Sequence, residues 1–140
     1  MKRLVLVIAC ALIDAADRVL LTQRPEGKAM AGLWEFPGGK CESGETPESC
    51  LARELDEELG IDVEVQDLTP LSFASHTYGP EDGDFHLLMP LYVCRKWRGE
   101  CRAAEAQSLA WVQAAQLNDY SMPAADAPLI GPLQKFLMRR

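Results

Sequence analysis

The chain has 140 residues, a formal net charge of −7 and 48% apolar side chains, enough to bury a core. The acidic balance excludes a general binder of nucleic acid or anionic membrane, because no basic patch or tail is present; a phosphate partner then needs a cation to bridge it. The five cysteines (Cys10, Cys41, Cys50, Cys94 and Cys101) include no CxxC pair, so neither a zinc site nor a disulfide framework is expected, and unpaired thiols suit a reducing cytoplasm.

The chain opens on MKRLVLVIACAL, which superficially resembles a secretory leader or a lipoprotein site ending at Cys10. Only nine residues precede Cys10, fewer than the ~15–30 of a secretory signal. The run is rich in Val and Ile and stops at Asp14, so a buried strand over residues 4–13 is the expected element. A polar turn over residues 14–17 and a second strand over 19–23 complete an expected hairpin. Residues 24–32, RPEGKAMAG, read as a loop, and LWEFPGG as a short strand stopped by Pro37 and two glycines.

A helix follows. Thr46 is placed to cap it, Pro47 to occupy the first helical position, and Glu48 to favour the dipole. Leu51, Ala52, Leu55 and Leu59 recur at helical spacing, and Gly60 closes the element. Beyond it, IDVEV, LSFASHTY and residues 87–96 read as strands, with Asp82-Gly83 in GPEDGDF a hairpin signal. Residues 108–112 read as a short strand, VQAAQL as a short helix, and 129–138 as a terminal helix interrupted near its start by Gly131-Pro132. No stretch approaches the ~20 apolar residues of a membrane span. The pattern predicts one α/β (α+β) domain over residues 1–140, a mixed sheet packed between helices.

The long helix carries an anomaly. Glu54 and Glu58 form an i,i+4 pair of like charges, and Glu57 flanks them beside the apolar stripe. A solvated acidic face explains this spacing by itself. Three features favour another reading: the glutamates adjoin the packed surface, a Gly-Gly turn precedes the helix, and Glu45 stands just before the cap. Clustered carboxylates beside open carbonyls are what a hard divalent cation requires.

The stretch from Gly39 to Ile61, with Glu45 and then RELDEELGI, resembles the Nudix box GX5EX7REUXEEXGU at every fixed position. The resemblance implies a hydrolase that cuts a nucleoside diphosphate linked to another group, with Mg2+ (or Mn2+) as cofactor, on a mixed sheet between helices. LTQRPEGKAMAGLWEFPGGK and YSMPAADAPLI look like the corresponding stretches of the MutT branch, which removes oxidised guanine nucleotides from the precursor pool; they look equally like a relative that hydrolyses cytidine triphosphates.

By matched position, Glu54, Glu57, Glu58 and the Gly38 carbonyl are implied metal ligands, Arg53 orients the carboxylates, and Glu45 holds the loop. Gly39 and Gly60 complete the box. Lys40 is either a phosphate contact or an ordinary exposed lysine. Glu54 is the implied proton acceptor. The branch carries a further glutamate on a loop before the last strand; the match puts Ala110 there, and Glu105 in AAEAQSL is the candidate substitute. Base recognition falls to Arg24, Phe36 and Asp126. Arg24 is otherwise a surface ion pair, Phe36 otherwise core, and Asp126 otherwise a cap for the last helix. The branch has an amide at the Asp126 position, whereas an ionised Asp only accepts. His76 and His86, like Trp34, Trp97 and Trp111, read as structural.

The expected activity is that of a Mg2+-dependent nucleoside triphosphate pyrophosphohydrolase acting on 8-oxo-dGTP in nucleotide-pool sanitation. CTP, dCTP or a modified cytidine nucleotide is the alternative substrate. A non-catalytic nucleotide-sensing domain is the alternative of another class, and EDGD lacks the spaced ligands of a Ca2+ loop. A cytoplasmic monomer or weak dimer is expected, with a small-molecule nucleotide substrate and no stable nucleic-acid partner.

Overall fold

The first strand, β1 (Arg3–Leu12), lies inside a four-stranded sheet, and its second half, Ile8 to Leu12, is buried on both faces as a continuous apolar run requires. The computed structural model describes residues 2–138. β1 pairs antiparallel with β4 (Gly38–Lys40) and parallel with β6 (Phe85–Cys94), which pairs antiparallel with β5 (Thr69–Tyr78). A second, three-stranded sheet has β2 (Arg18–Gln23) at its centre, between β3 (Trp34–Glu35) and β7 (Ser108–Gln113).

The expected hairpin of the first two strands is reduced to one bridge, Ile13 to Val19. Asp14 folds the turn by accepting the Ala16 and Arg18 N–H groups. β1 is already paired along both edges, so β2 finds its ladder in the other sheet.

Helix α1 (Pro47–Leu59) forms as its sequence dictates. The Thr46 hydroxyl accepts the Ser49 N–H at 3.1 Å, and Ser49 returns a hydroxyl to the Thr46 N–H at 3.1 Å. Gly60 ends the helix in the left-handed region, φ 71°. Cys50, Leu51, Leu55 and Leu59 are fully buried against Ile8, Cys10 and Leu12. Helix α2 (Ile130–Met138) buries Leu133 and Leu137 in a second cluster with Ala9, Ala11 and Ile13, the opposite set of the alternating β1 side chains. The mixed sheet therefore lies between helices.

Three expected elements differ. IDVEV forms no strand: Asp62 makes one bridge to Arg98, and the chain then turns through a 3-10 segment, Val65–Asp67, because Ile61 and Val63 bury beneath α1. VQAAQL forms no α-helix: Val112 and Gln113 end β7, and a 3-10 segment, Ala114–Asp119, follows. α2 is not interrupted at Gly131-Pro132, since Pro132 falls in the first turn, where its missing N–H costs nothing. The EDGD stretch is a turn between β5 and β6, and Asp84 pairs with Lys2. No helix among the described residues is long and apolar enough to cross a membrane.

Candidate active site

The junction of β4 and α1 leaves no room for side chains at either glycine. Gly38 has φ 152°, and a Cβ there would strike the Ile8 backbone. A Cβ on Gly39 would run into the Glu54 carboxylate. Backbone and acidic helix therefore touch, as a ligand-binding turn requires.

Glu58 accepts the Gly38 N–H through Oε2 at 2.9 Å. Burial pushes its carboxyl up to about 8, with the charges of Glu54, Glu105 and Glu35 adding to the shift and the Gly38 N–H opposing it. Glu54 is also raised, chiefly by desolvation. Two acids held above their ordinary range, side by side, indicate a place where positive charge is missing.

Arg53 supplies the one guanidinium of this cluster. Its Nε and Nη2 grip both oxygens of Glu45, at 2.6 and 2.9 Å, and its Nη1 reaches Glu54 at 3.0 Å and Glu57 at 3.1 Å. Nη2 also donates to the Lys40 carbonyl. The Glu45 carboxyl is accordingly held well below its ordinary range. Glu57 is the most exposed of the three box glutamates.

The loop before β7 brings a further acid. Glu105 lines the same cavity as Glu58 and faces both Glu54 and Glu58 electrostatically. Ala110, the position that the sequence match put forward, lies within β7 opposite Leu21 and packs on the core. Gln107, which the sequence did not single out, donates to the Glu58 carbonyl and accepts the Glu105 N–H.

A cavity of ≈ 630 Å³ is lined by Glu58 and Glu105, and its apolar wall comes mainly from the cluster that holds Ala9, Phe36 and Met89; Glu54 and Glu57 do not line it. Asp126, also in the lining, is buried and accepts the Phe36 N–H through Oδ2 at 3.2 Å. It makes no side-chain bond to the helix that follows, so capping is not its role. Burial and then the Glu35 charge push the Asp126 carboxyl up to about 7. Phe36 is buried in the core and also lines the cavity. Arg24 lines it too, while its Nε is held by both oxygens of Glu35 at 2.9 and 3.2 Å. Lys40 is exposed at the rim. Glu35 and Tyr78 went unnoticed in the sequence, where each reads as ordinary strand material; the WE pair next to the glycines was the available signal.

One expectation about the cysteines is overturned. Cys41 and Cys50 form a disulfide across the loop between β4 and α1, while Cys10, Cys94 and Cys101 are free. The loop folds back on the helix and brings together two residues nine apart. Among the described residues, Cys41, Glu45 and Cys50 are the one set whose ligand atoms lie within 4.8 Å of one another. With two sulfurs bonded to each other and Glu45 gripped by Arg53, that set is closed to a metal.

The box glutamates offer a different donor set. All its ligands are oxygens, and two of the carboxyls are destabilised by burial, with Arg53 offsetting Glu54 and the Gly38 N–H offsetting Glu58. Hard oxygen donors short of positive charge fit Mg2+ or Mn2+.

Comparisons with known proteins bear on the family and the fold. The NUDIX domain family matches residues 8–131. An 8-oxo-dGTP diphosphatase of Proteus vulgaris is 38% identical over 71% of the chain and 83% of its own length. A CTP pyrophosphohydrolase of Escherichia coli is 36% identical over 88% of the chain and 87% of its own length. A solved MutT structure of Aliivibrio salmonicida and Vibrio cholerae provenance superposes with a TM-score of 0.79 at 27% identity, covering 96% of this chain and 99% of that one.

Proposed function

The chain belongs to the NUDIX domain family, and on that premise we propose that it hydrolyses nucleoside triphosphates to the monophosphate and pyrophosphate, with 8-oxo-dGTP as preferred substrate. Nucleotide-pool sanitation is the corresponding role. The observation that carries this reading is one cavity lined both by Glu58 and Glu105 and by the buried carboxyl of Asp126. The names of similar proteins support it.

Glu54, Glu57, Glu58 and the Gly38 carbonyl would hold the divalent cation, with Glu105 adding a carboxylate. When bound, Mg2+ or Mn2+ withdraws charge from the phosphate oxygens and lowers the pKa of water. In-line attack of a water on phosphorus would break the anhydride bond and release pyrophosphate. Glu54 would accept the proton of the water. Arg53 spreads one positive charge over Glu45, Glu54 and Glu57 and keeps the acids from splaying apart. Lys40 meets the phosphates at the rim, and Arg24 and Phe36 flank the base.

Asp126 reads the base edge. Ionised, it accepts from the N–H groups of a guanine; protonated, it donates as an amide does. A carboxyl raised to about 7 visits both states. That property supports cytidine nucleotides as the second substrate class, because neutral cytosine offers an acceptor at N3. We infer that the enzyme acts where its nucleotide substrates are, as a monomer or weak dimer.

Pyrophosphate release from 8-oxo-dGTP, dGTP, CTP and dCTP with Mg2+ tests the proposal. A higher kcat/KM for 8-oxo-dGTP than for the other three supports it. A preference for cytidine displaces the leading substrate, and no turnover of any nucleotide favours a non-catalytic sensing domain.

A further inference from the structure

Helix α1 ends without a basic residue in its last turn, so its final carbonyls need partners from elsewhere. The segment before β7 provides them. Arg102 N–H donates to the Leu59 carbonyl at 3.0 Å, Ala104 N–H to the Glu58 carbonyl at 3.1 Å, and Gln107 Nε2 to that same carbonyl at 2.9 Å. The other end of the Gln107 amide accepts the Glu105 N–H at 2.9 Å. One side chain thus uses a donor and an acceptor to join the main chain of Glu58 to the main chain of Glu105.

This link works against two opposing effects. Glu105 repels Glu54 and Glu58, whose carboxyls its charge raises. Ala106, between Glu105 and Gln107, has φ 62°, a left-handed conformation that a residue with a Cβ avoids. The loop would relax away from the helix if nothing held it. Both Glu58 and Glu105 line the cavity, so their separation sets the shape of its acidic wall.

We propose that Gln107 is a positioning residue that holds the Glu105 main chain beside α1, keeping its carboxylate within reach of the glutamates there, and thereby sets the affinity of the site for a divalent cation. It borders the same cavity, and its effect on the cation runs through Glu105. The inference rests on the metal-site reading above, but not on which nucleotide is cleaved.

The test uses Mn2+ without nucleotide, titrated by calorimetry or by the loss of its free-ion electron paramagnetic resonance signal. Gln107→Met keeps the length of the side chain and removes both hydrogen bonds. Its Mn2+ dissociation constant is expected to rise about tenfold, the cost typical of removing a group that orients a ligand. The Mg2+ concentration for half-maximal turnover should rise by a similar factor, kcat should fall, and the nucleotide KM at saturating Mg2+ should hold. In a Glu105→Gln background the same change is expected to cost nothing further.

Wild-type Mn2+ affinity in Gln107→Met overturns the proposal. So does an undiminished loss in the Glu105→Gln background, which would make Gln107 a general prop of the loop. A wild-type protein that holds no Mn2+ overturns it at its premise. Loosened Mn2+ in Gln107→Met, in a protein that releases pyrophosphate from no nucleotide, sustains this proposal while overturning the enzymatic one.

Discussion

Glu58 reaches back twenty residues to accept the N–H of Gly38 at 2.9 Å, so the strand end and the acidic helix share one hydrogen bond in the cavity wall. The bond depends on how closely the two elements approach. At Gly38 an added Cβ meets the fixed backbone of Ile8; at Gly39 it meets the far end of the flexible Glu54 side chain. Gly38→Ala is expected to destabilise the protein by about 3 kcal/mol or more, read by urea unfolding. Gly39→Ala should cost much less stability and show its loss in Mg2+-dependent turnover. Equal stability losses in the two variants would contradict the geometry.

Arg53 is expected to resist its most conservative replacement. A lysine has one compact charge, and it cannot grip Glu45 with two nitrogens while also reaching Glu54 and Glu57. Arg53→Lys should lower kcat by about 100-fold, roughly 2.7 kcal/mol of transition-state stabilisation. Glu57→Gln should abolish turnover and leave the unfolding curve in place, because Glu57 is exposed. Full activity in Glu57→Gln would show that the metal site lies elsewhere.

Asp126 ties stability to pH. Its carboxyl rises from an ordinary 3.8 to about 7 in the native state, first through burial and then through the Glu35 charge. Between those values the native chain holds a proton that the unfolded chain has released. The contribution is fully present below about 4 and is lost as pH rises toward 7. Wild type should therefore lose stability relative to Asp126→Asn between pH 5 and pH 8 in urea unfolding. Parallel curves would mean that Asp126 does not titrate in this window.

The same proton bears on substrate choice. Raising the pH converts Asp126 into a pure acceptor, which suits the N–H edge of guanine and loses the donor for cytosine N3. The ratio of kcat/KM for 8-oxo-dGTP to that for CTP should climb several-fold from pH 6 to pH 8, and stay flat in Asp126→Asn. A flat wild-type profile would remove Asp126 from base reading.

The Cys41–Cys50 bond closes a short loop, a constraint on the unfolded chain of about 2.5 kcal/mol on the loop-entropy account. Dithiothreitol should lower the melting temperature of wild type and leave Cys41→Ser unchanged. Thiol titration of the unfolded, unreduced chain should find three free groups, Cys10, Cys94 and Cys101. Five would show the pair reduced.

The α1 segment was legible in the sequence because its signals are local. Thr46, Pro47 and Gly60 set its ends, and the leucines set its buried face. Asp126 was legible as a candidate, but its sequence neighbourhood suited a helix cap equally well; only the approach of Phe36, ninety residues away, separates the two. The disulfide could not be read from spacing, since its partners meet through the fold-back of a loop. Gln107 was hidden for a similar reason: its value lies in two main-chain partners, and a sequence does not show where those partners sit. β2 left the expected hairpin because its partner's edges were filled by strands far along the chain.

The acidic helix and Asp126 stand on different foundations. Leu51, Leu55 and Leu59 root the helix in one apolar cluster, while Ala125 and Leu129, on either side of Asp126, root its segment in the other. On the proposed reading of Asp126, exchanges around it would retune which nucleotide is admitted without unseating the helix that carries the acids. A scaffold divided in this way lets new specificities diverge from an inherited reaction by a few changes in one layer.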